Sequence, residues 1–204
     1  GRVLLEMNAD IIALQEVEHA HTVDELGIIN DDHPYNIVLG PTVSSRSSHY
    51  GNVLLSRFPV VAERKINLSY PGREKRGAID VEIDCRGRVI RVIATHLGLI
   101  PAERRHQVRV LLENIDNPSF SKKLTLLTGD MNEWFLWGRP LRLIHQYFGH
   151  SPSISTYPAR WPVLSLDRIW CHPADRATAI SKHKTKLSAV ASDHLPLTGN
   201  ITIY

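Results

Sequence analysis

Leu126-Leu127-Thr128-Gly129-Asp130-Met131-Asn132 begins as a buried strand and ends, without transition, in an acid and an amide. Apolar over Leu124–Gly129, it reads as a strand inside a sheet, so the polar pair falls where the strand stops. Four other stretches repeat the design: Ile11-Ile12-Ala13-Leu14-Gln15-Glu16, Val92-Ile93-Ala94-Thr95-His96, Leu166-Asp167-Arg168-Ile169 and Ser192-Asp193-His194-Leu195-Pro196. Strands that stop together at one sheet edge bring these ends into one cluster. Carboxylates, an amide and two imidazoles without a thiolate make a hard, oxygen-rich donor set, which suits Mg²⁺ or Mn²⁺ better than zinc.

Each piece alone has a plain explanation. Glu16 after an apolar strand is a solvated strand end, His96 a hydrogen-bonded surface histidine, and Gly129-Asp130 with Asn132 a turn, since these residue types favour turns. Asp193-His194-Leu195-Pro196 makes a capped bend before a last strand. Their number, order and matching placement decide for a site.

The rest of the chain supplies the scaffold. Further strands are expected at Ile37–Gly40, Asn52–Ser56, Val60–Leu68, Ala78–Cys85, Val89–His96, Leu166–Cys171 and Leu197–Ile203, with Arg86-Gly87-Arg88 closing a hairpin. Ala78–Cys85 alternates, Ile79, Val81, Ile83 and Cys85 on one face and Asp80, Glu82 and Asp84 on the other. A helix starts at Pro101 and carries Val108, Leu111, Leu112 and Ile115 at helical spacing, with Arg104, Arg105 and Arg109 toward solvent and Pro118 as its stop. A second helix covers Pro140–Phe148 and ends at Gly149, and Ser151–Pro162 is a surface loop. Many strands and few helices imply an α/β sandwich, two packed sheets with helices outside, as a single domain over residues 1–204.

Composition bounds the class. The chain has 204 residues, 43% hydrophobic, enough for one substantial core. A net charge of +3 suits an anionic ligand but falls short of a dedicated DNA binder's basic stripe. Cys85 and Cys171 lie far apart in strand-like runs, so buried inert thiols are expected. No apolar run approaches the ~18–20 residues of a membrane helix.

Taken together, Gln15-Glu16, Gly51-Asn52-Val53-Leu54-Leu55-Ser56, Thr95-His96-Leu97, Gly129-Asp130-Met131-Asn132, Leu166-Asp167-Arg168-Ile169 and Ser192-Asp193-His194-Leu195-Pro196 resemble the motifs of the endonuclease/exonuclease/phosphatase superfamily, in its order. The resemblance implies a DNase I-like fold, a four-layered sandwich of two mixed β-sheets flanked by helices, and Mg²⁺-dependent phosphoester hydrolysis with Mn²⁺ as substitute. It makes Glu16 the principal metal ligand and Asp193 a supplementary one. Asp130 then orients or deprotonates the attacking water, Asn132 holds the phosphoryl group, and His194 faces the phosphate with Asp167 as its orienting partner. His96 is a second donor to the phosphate oxygens, and Asn52 and Arg76 are substrate-side contacts. The family's first strand, bearing an Asn near the metal, is missing ahead of a chain that opens as if already inside a helix, so the expectation is either a segment absent from this sequence or a domain truncated at its N-terminus.

Fold does not choose the substrate. Compact loops and modest charge favour a small or lipid-derived phosphoester over DNA or RNA, and the overall look is similar to small bacterial members of the superfamily. Trp134, Phe135 and Trp137, directly after Asn132, admit two readings: a pocket wall for an apolar group, with Trp134 against substrate, or packing between helix and sheet. Tyr157 and Trp161 admit the same two. No serine sits in a nucleophile-elbow context, so direct hydrolysis is preferred to a covalent intermediate. A catalytically silent module would lack Asp130, Asn132 or His194, and all three are present. A cytoplasmic monomer is expected.

Overall fold

Val89–His96 is apolar on both faces, and in the structure it is a central strand whose residues after Val89 are all buried. The computed structural model describes residues 1–18, 35–44, 49–115 and 123–203. In chain order the elements are α1 (Arg2–Met7), β1 (Ile11–Glu18), β2 (Asn36–Ser44), β3 (His49–Ser56), β4 (Val60–Asn67), β5 (Gly77–Asp84), β6 (Val89–His96), α2 (Pro101–Ile115) and β7 (Thr125–Asp130). There follow α3 (Arg139–Phe148), β8 (Asp167–His172), β9 (Ala177–Lys182), α4 (Ser188–Ala191) and β10 (Leu197–Ile201). Pro118, the expected stop of α2, lies outside the described residues.

The larger sheet runs β4-β5-β6-β7-β8. Its parallel pair, β6 with β7, needs a crossover, and α2 supplies it. A second layer holds the antiparallel sheet β1-β3-β2, and the pair β10-β9 adds Ala177 and Ile201 to the same apolar seam. Among the described residues the five-stranded sheet mixes parallel and antiparallel pairs, while both pairings of β3 in the smaller sheet are antiparallel. Strand β9 escapes sequence reading because Ala177-Thr178-Ala179-Ile180-Ser181-Lys182 is too polar to announce itself.

Alternation along the strands sorts the core into layers. Ile93, Leu127 and Trp170 face α2 and α3, where Val108, Leu111, Leu141, Ile144 and Phe148 meet them. Val92, Ala94, Leu126 and Cys171 point the other way, into the seam with Leu54 and Val38 of the smaller sheet. Ile12, Val53 and Leu55 cover that sheet's outer face, with Leu4 of α1 against them. The order is helix, sheet, sheet, helices. Both cysteines are buried and free, and burial pushes each thiol up to about 11.

Two buried ion pairs depart from the sequence reading. Asp80, on the polar face of β5, is gripped by Arg91 through two 2.8 Å bonds, and Arg91 also reaches carbonyls at the end of α2, Ile115 O at 3.3 Å and Asn114 O at 3.4 Å. Arg104 does not face solvent. It is buried against Glu133 at 3.2 Å and donates to Leu99 O at 2.6 Å, because the first turn of α2 lies over the loops that follow β6 and β7. Arg109, by contrast, is exposed.

An open cleft of about 910 Å³ separates β1 from β10. Strand edges and aliphatic side chains make most of its wall, and of the expected site residues it takes in Asp167 and His194 alone.

Candidate active site at the seam between the sheets

Strand register sets the first three site residues side by side. His96 ends β6 and pairs in register with Asp130 at the end of β7, which in turn lies opposite Asp167 at the start of β8. All three share the parity of Ala94, Leu126 and Cys171, so they project into the seam between the sheets, where apolar contacts give way to ionisable ones. Gly129 permits the close approach of β6 and β7: its φ is +137°, and a Cβ there would lie 1.8 Å from the Thr95 carbonyl oxygen.

Glu16 reaches the seam from the opposite sheet by a β-bulge. Leu14 pairs with Val53 and Val17 with Gly51, so β1 spends one more residue than β3 over the same span. Without the bulge, in a regular strand of the same sequence, Glu16 would share the parity of Ile12 and Leu14 and face outward. With it, at φ +57°, its carboxylate turns inward, to 3.8 Å from His96 Nδ1. A non-glycine residue held at positive φ is a cost that the surrounding structure must offset. Asn52 lies on the facing strand, buried, with Nδ2 donating to Gly77 O at 3.0 Å, and it lines a small pocket with Glu16, Tyr50, Gly51, Arg76 and His96.

Hydrogen bonding fixes the imidazoles in different states. Two donors face His96, Arg76 Nη1 at 2.9 Å from Nδ1 and Asn132 Nδ2 at 2.9 Å from Nε2, and both favour the neutral ring. Nε2 also lies 3.6 Å from Asp130 Oδ2. Burial, then the charge of Arg76, lowers the His96 pKa to about 3. At His194 burial also opposes charge, but the 2.8 Å bond from Nδ1 to Asp167, with Asp130 and Asp193 nearby, outweighs it and raises the pKa. The ring's Nε2 faces Asp130 Oδ2 at 3.9 Å, and Tyr157 packs against it at 4.8 Å. Asp130 is pushed up to about 6 by burial and by the neighbouring Asp167.

Asn132 closes the cluster. Its backbone, at φ +49°, turns sharply so that its N–H donates to Asp130 Oδ1 at 2.7 Å, while its side chain donates to Leu97 O at 2.8 Å. Arg76 is also held by Glu74 at 2.8 Å, and its Nε is buried with no partner among the described residues.

His96, Asp130, Asn132, Asp167 and His194 thus form one contiguous group, with Glu16, Asn52 and Arg76 adjoining. Asp193 sits exposed beside His194, and no contact joins it to Glu16. Trp134 does not line the pocket; it is 61% exposed, and Phe135, Trp137 and Trp161 are exposed with it, which removes the core-packing reading for these aromatics. Sequence reasoning missed Tyr50, which hydrogen-bonds Glu16 and whose pKa is raised to about 12 by burial and then by that carboxylate. It also missed Thr156, whose hydroxyl donates to Asp167 Oδ2. Neither has a local signal, since both partners are distant in sequence.

Among the described residues no three His, Cys, Asp or Glu side chains form a ready cage. The donor chemistry nonetheless fits a hard cation: Glu16 presents a half-exposed carboxylate 3.8 Å from His96, which lies 3.6 Å from Asp130, a second carboxylate whose ionisation burial and Asp167 oppose.

A family model described as the endonuclease/exonuclease/phosphatase family matches residues 1–194. The chain belongs to that family. Relatives match along nearly all of this chain. One, Uncharacterized protein YbhP of Escherichia coli (strain K12), is 31% identical over 214 residues, 96% of this chain and 84% of that protein. The fold matches the family's structure from Bacteroides vulgatus with a TM-score of 0.80 at 17% identity, covering 100% of this chain and 88% of that one. It also matches a mannosyl-6-phosphatase from Bacteroides thetaiotaomicron VPI-5482, with a TM-score of 0.78 at 15% identity, covering 99% and 88%. This family member therefore has the expected two packed sheets flanked by helices.

Proposed function

We propose that the chain is a Mg²⁺-dependent phosphoesterase that hydrolyses a small or lipid-derived phosphoester by in-line attack of an activated water. The observation that carries the reading is Asp130 standing between two imidazoles in opposite states, His96 neutral and His194 biased toward charge. Phosphoryl transfer needs a base beside the water and fixed donors around the phosphoryl oxygens, more than a nucleophilic side chain.

Asp130 receives the proton as the water oxygen attacks phosphorus and the bond to the leaving oxygen breaks. Its pKa of about 6 keeps it basic enough for that transfer near neutral pH. His194, held by Asp167, offers a charged N–H to a phosphoryl oxygen. The Asn132 amide and the neutral His96 ring lie on the other side as polar contacts to the phosphoryl oxygens, and the unpartnered Arg76 Nε gives an anion a further contact. Glu16, with Asp193, would hold the Mg²⁺, or Mn²⁺ in its place, which when bound neutralises charge growing on the phosphoryl group.

The test is hydrolysis, with Mg²⁺ present, of bis-p-nitrophenyl phosphate, a sugar phosphate, lysophospholipids, phosphoinositides and abasic DNA. The mannosyl-6-phosphatase among the structural neighbours puts the phosphomonoester in that panel. Asp130→Ala and His194→Ala should each lower the rate about 10²–10³-fold. Turnover of a good substrate at the parent rate by either variant would overturn these roles. Incision of abasic DNA at low enzyme concentration, with no lipid turnover, would move the chain to the nucleases.

A further inference from the structure

Three loops leave the site end of neighbouring strands. The one after β6 follows His96, the one after β7 follows Asp130, and the one before β8 leads to Asp167, and Leu97 N–H to Asp130 O and Met131 N–H to Leu166 O tie them together at their roots. Seven of the eleven large hydrophobic side chains exposed among the described residues lie on these loops. They are Leu99, the run Trp134 to Trp137, Trp161 and Val163, and the barest are Trp161 at 81%, Val163 at 72% and Trp137 at 71%. Scattered apolar residues on a surface need no explanation, but a concentration beside a phosphoester site does.

The charge along the chain from the second loop to the third is one-sided. Between Glu133 and Asp167 the sequence contains no Asp or Glu, while Arg139 and Arg142 are exposed at the start of α3 and Arg160 on the loop before β8. Tryptophan with arginine in a stretch of sequence that carries no acid, with exposed Asp193 at its edge, is the composition that settles at a lipid–water interface bearing anionic headgroups. Stacked bases would use the indole faces equally well, but Leu99, Leu136 and Val163 have no ring to stack and gain only by burial in an apolar medium.

We infer that these loops form a docking surface for an anionic lipid interface, so that the site meets its phosphoester on an amphiphile embedded in that interface. The inference rests on the phosphoesterase reading for the reacting group and on the loops alone for the surface. Arg104 and Glu133 brace two of the three loops from beneath, since Arg104 also holds Leu99 O, so the exposed side chains ride on a fixed base.

The experiment is sedimentation of the full chain with phosphatidylcholine vesicles, with and without phosphatidylglycerol, together with tryptophan emission. Three of the four tryptophans are exposed and report on docking. Expected are association that strengthens with phosphatidylglycerol, a blue-shifted emission, and quenching by brominated acyl chains. W137S and W161S should each weaken association about tenfold, as loss of one buried apolar side chain does. Both should leave hydrolysis of soluble bis-p-nitrophenyl phosphate unchanged. The inference is overturned if vesicles are ignored, if association is indifferent to both substitutions, or if a single-stranded oligonucleotide quenches the tryptophans while vesicles do not. Vesicle binding without hydrolysis of any phosphoester would instead sink the catalytic reading and leave the surface standing.

Discussion

Removing the guanidinium of Arg104 is the sharpest test of the packing, because an arginine on the outer face of a helix and one sealed against Glu133 predict different outcomes. The Arg104 and Glu133 side chains retain 5% and 4% of their exposure, and their nitrogen and oxygen atoms meet at 3.2 Å. Arg104→Ala leaves Glu133 buried without a counter-charge and frees the carbonyls of Gly98 and Leu99 that Arg104 also binds. Breaking a buried pair from one side costs about 3–5 kcal/mol. For a chain of this size, that is a fall in melting temperature of roughly 6–20 °C. Urea denaturation gives the free energy and circular dichroism the melting curve. Replacing both partners, Arg104→Met with Glu133→Leu, should bring stability back to within about 2 kcal/mol of the parent, since no lone charge then remains. An Arg104→Ala loss within about 0.5 kcal/mol, the value for an exposed surface residue, would refute the reasoning.

Gly129→Ala should cost about 3 kcal/mol or more in urea unfolding, because the new methyl meets the Thr95 carbonyl oxygen at a φ that L-residues avoid. Chelation with EDTA should abolish hydrolysis of bis-p-nitrophenyl phosphate, and Mg²⁺ or Mn²⁺ should restore it; activity that survives dialysis against chelator would count against the assigned donor set. In the metal-free chain, His96 binds no proton until about pH 3 whereas the unfolded chain does near pH 6.5, so stability falls with pH across that window by up to about 1.4 kcal/mol per unit, and His96→Gln should flatten the slope. His194 has the opposite sign, its contribution being present at low pH and lost as pH rises through its raised folded pKa; Asp167→Asn should lower the His194 midpoint in an NMR titration.

Much of this was legible in the sequence wherever the signal is local. Leu126-Leu127 before Gly129-Asp130, and Val92-Ile93-Ala94 before Thr95-His96, carry their own strand and their own terminus, and the structure aligns them in adjacent strands. Pro101 and Gly149 likewise mark helix ends where they fall. What was not legible depends on partners far along the chain. Arg104 looks like any solvent-facing helix residue until Glu133 is brought onto it. Tyr50 has no motif, and its role follows only from its bond to Glu16 across a strand pair. Trp134 to Trp137 read equally as core or pocket because periodicity says nothing about a loop; only the fold shows them bare. Strand β9 lacks the apolar content that would reveal it.

The bulge in β1 gives the site a dependence on counting. Remove Gln15 and the strand becomes regular, with Glu16 opposite Asn52 and still on the seam face between outward Leu14 and Val17. Keep every residue but move the bulge past Glu16, and the carboxylate joins the face of Ile12 and Leu14, away from His96. The direction of the acid is thus set by where the extra residue falls, so a relative with every motif residue intact can lose it through a shifted bulge alone.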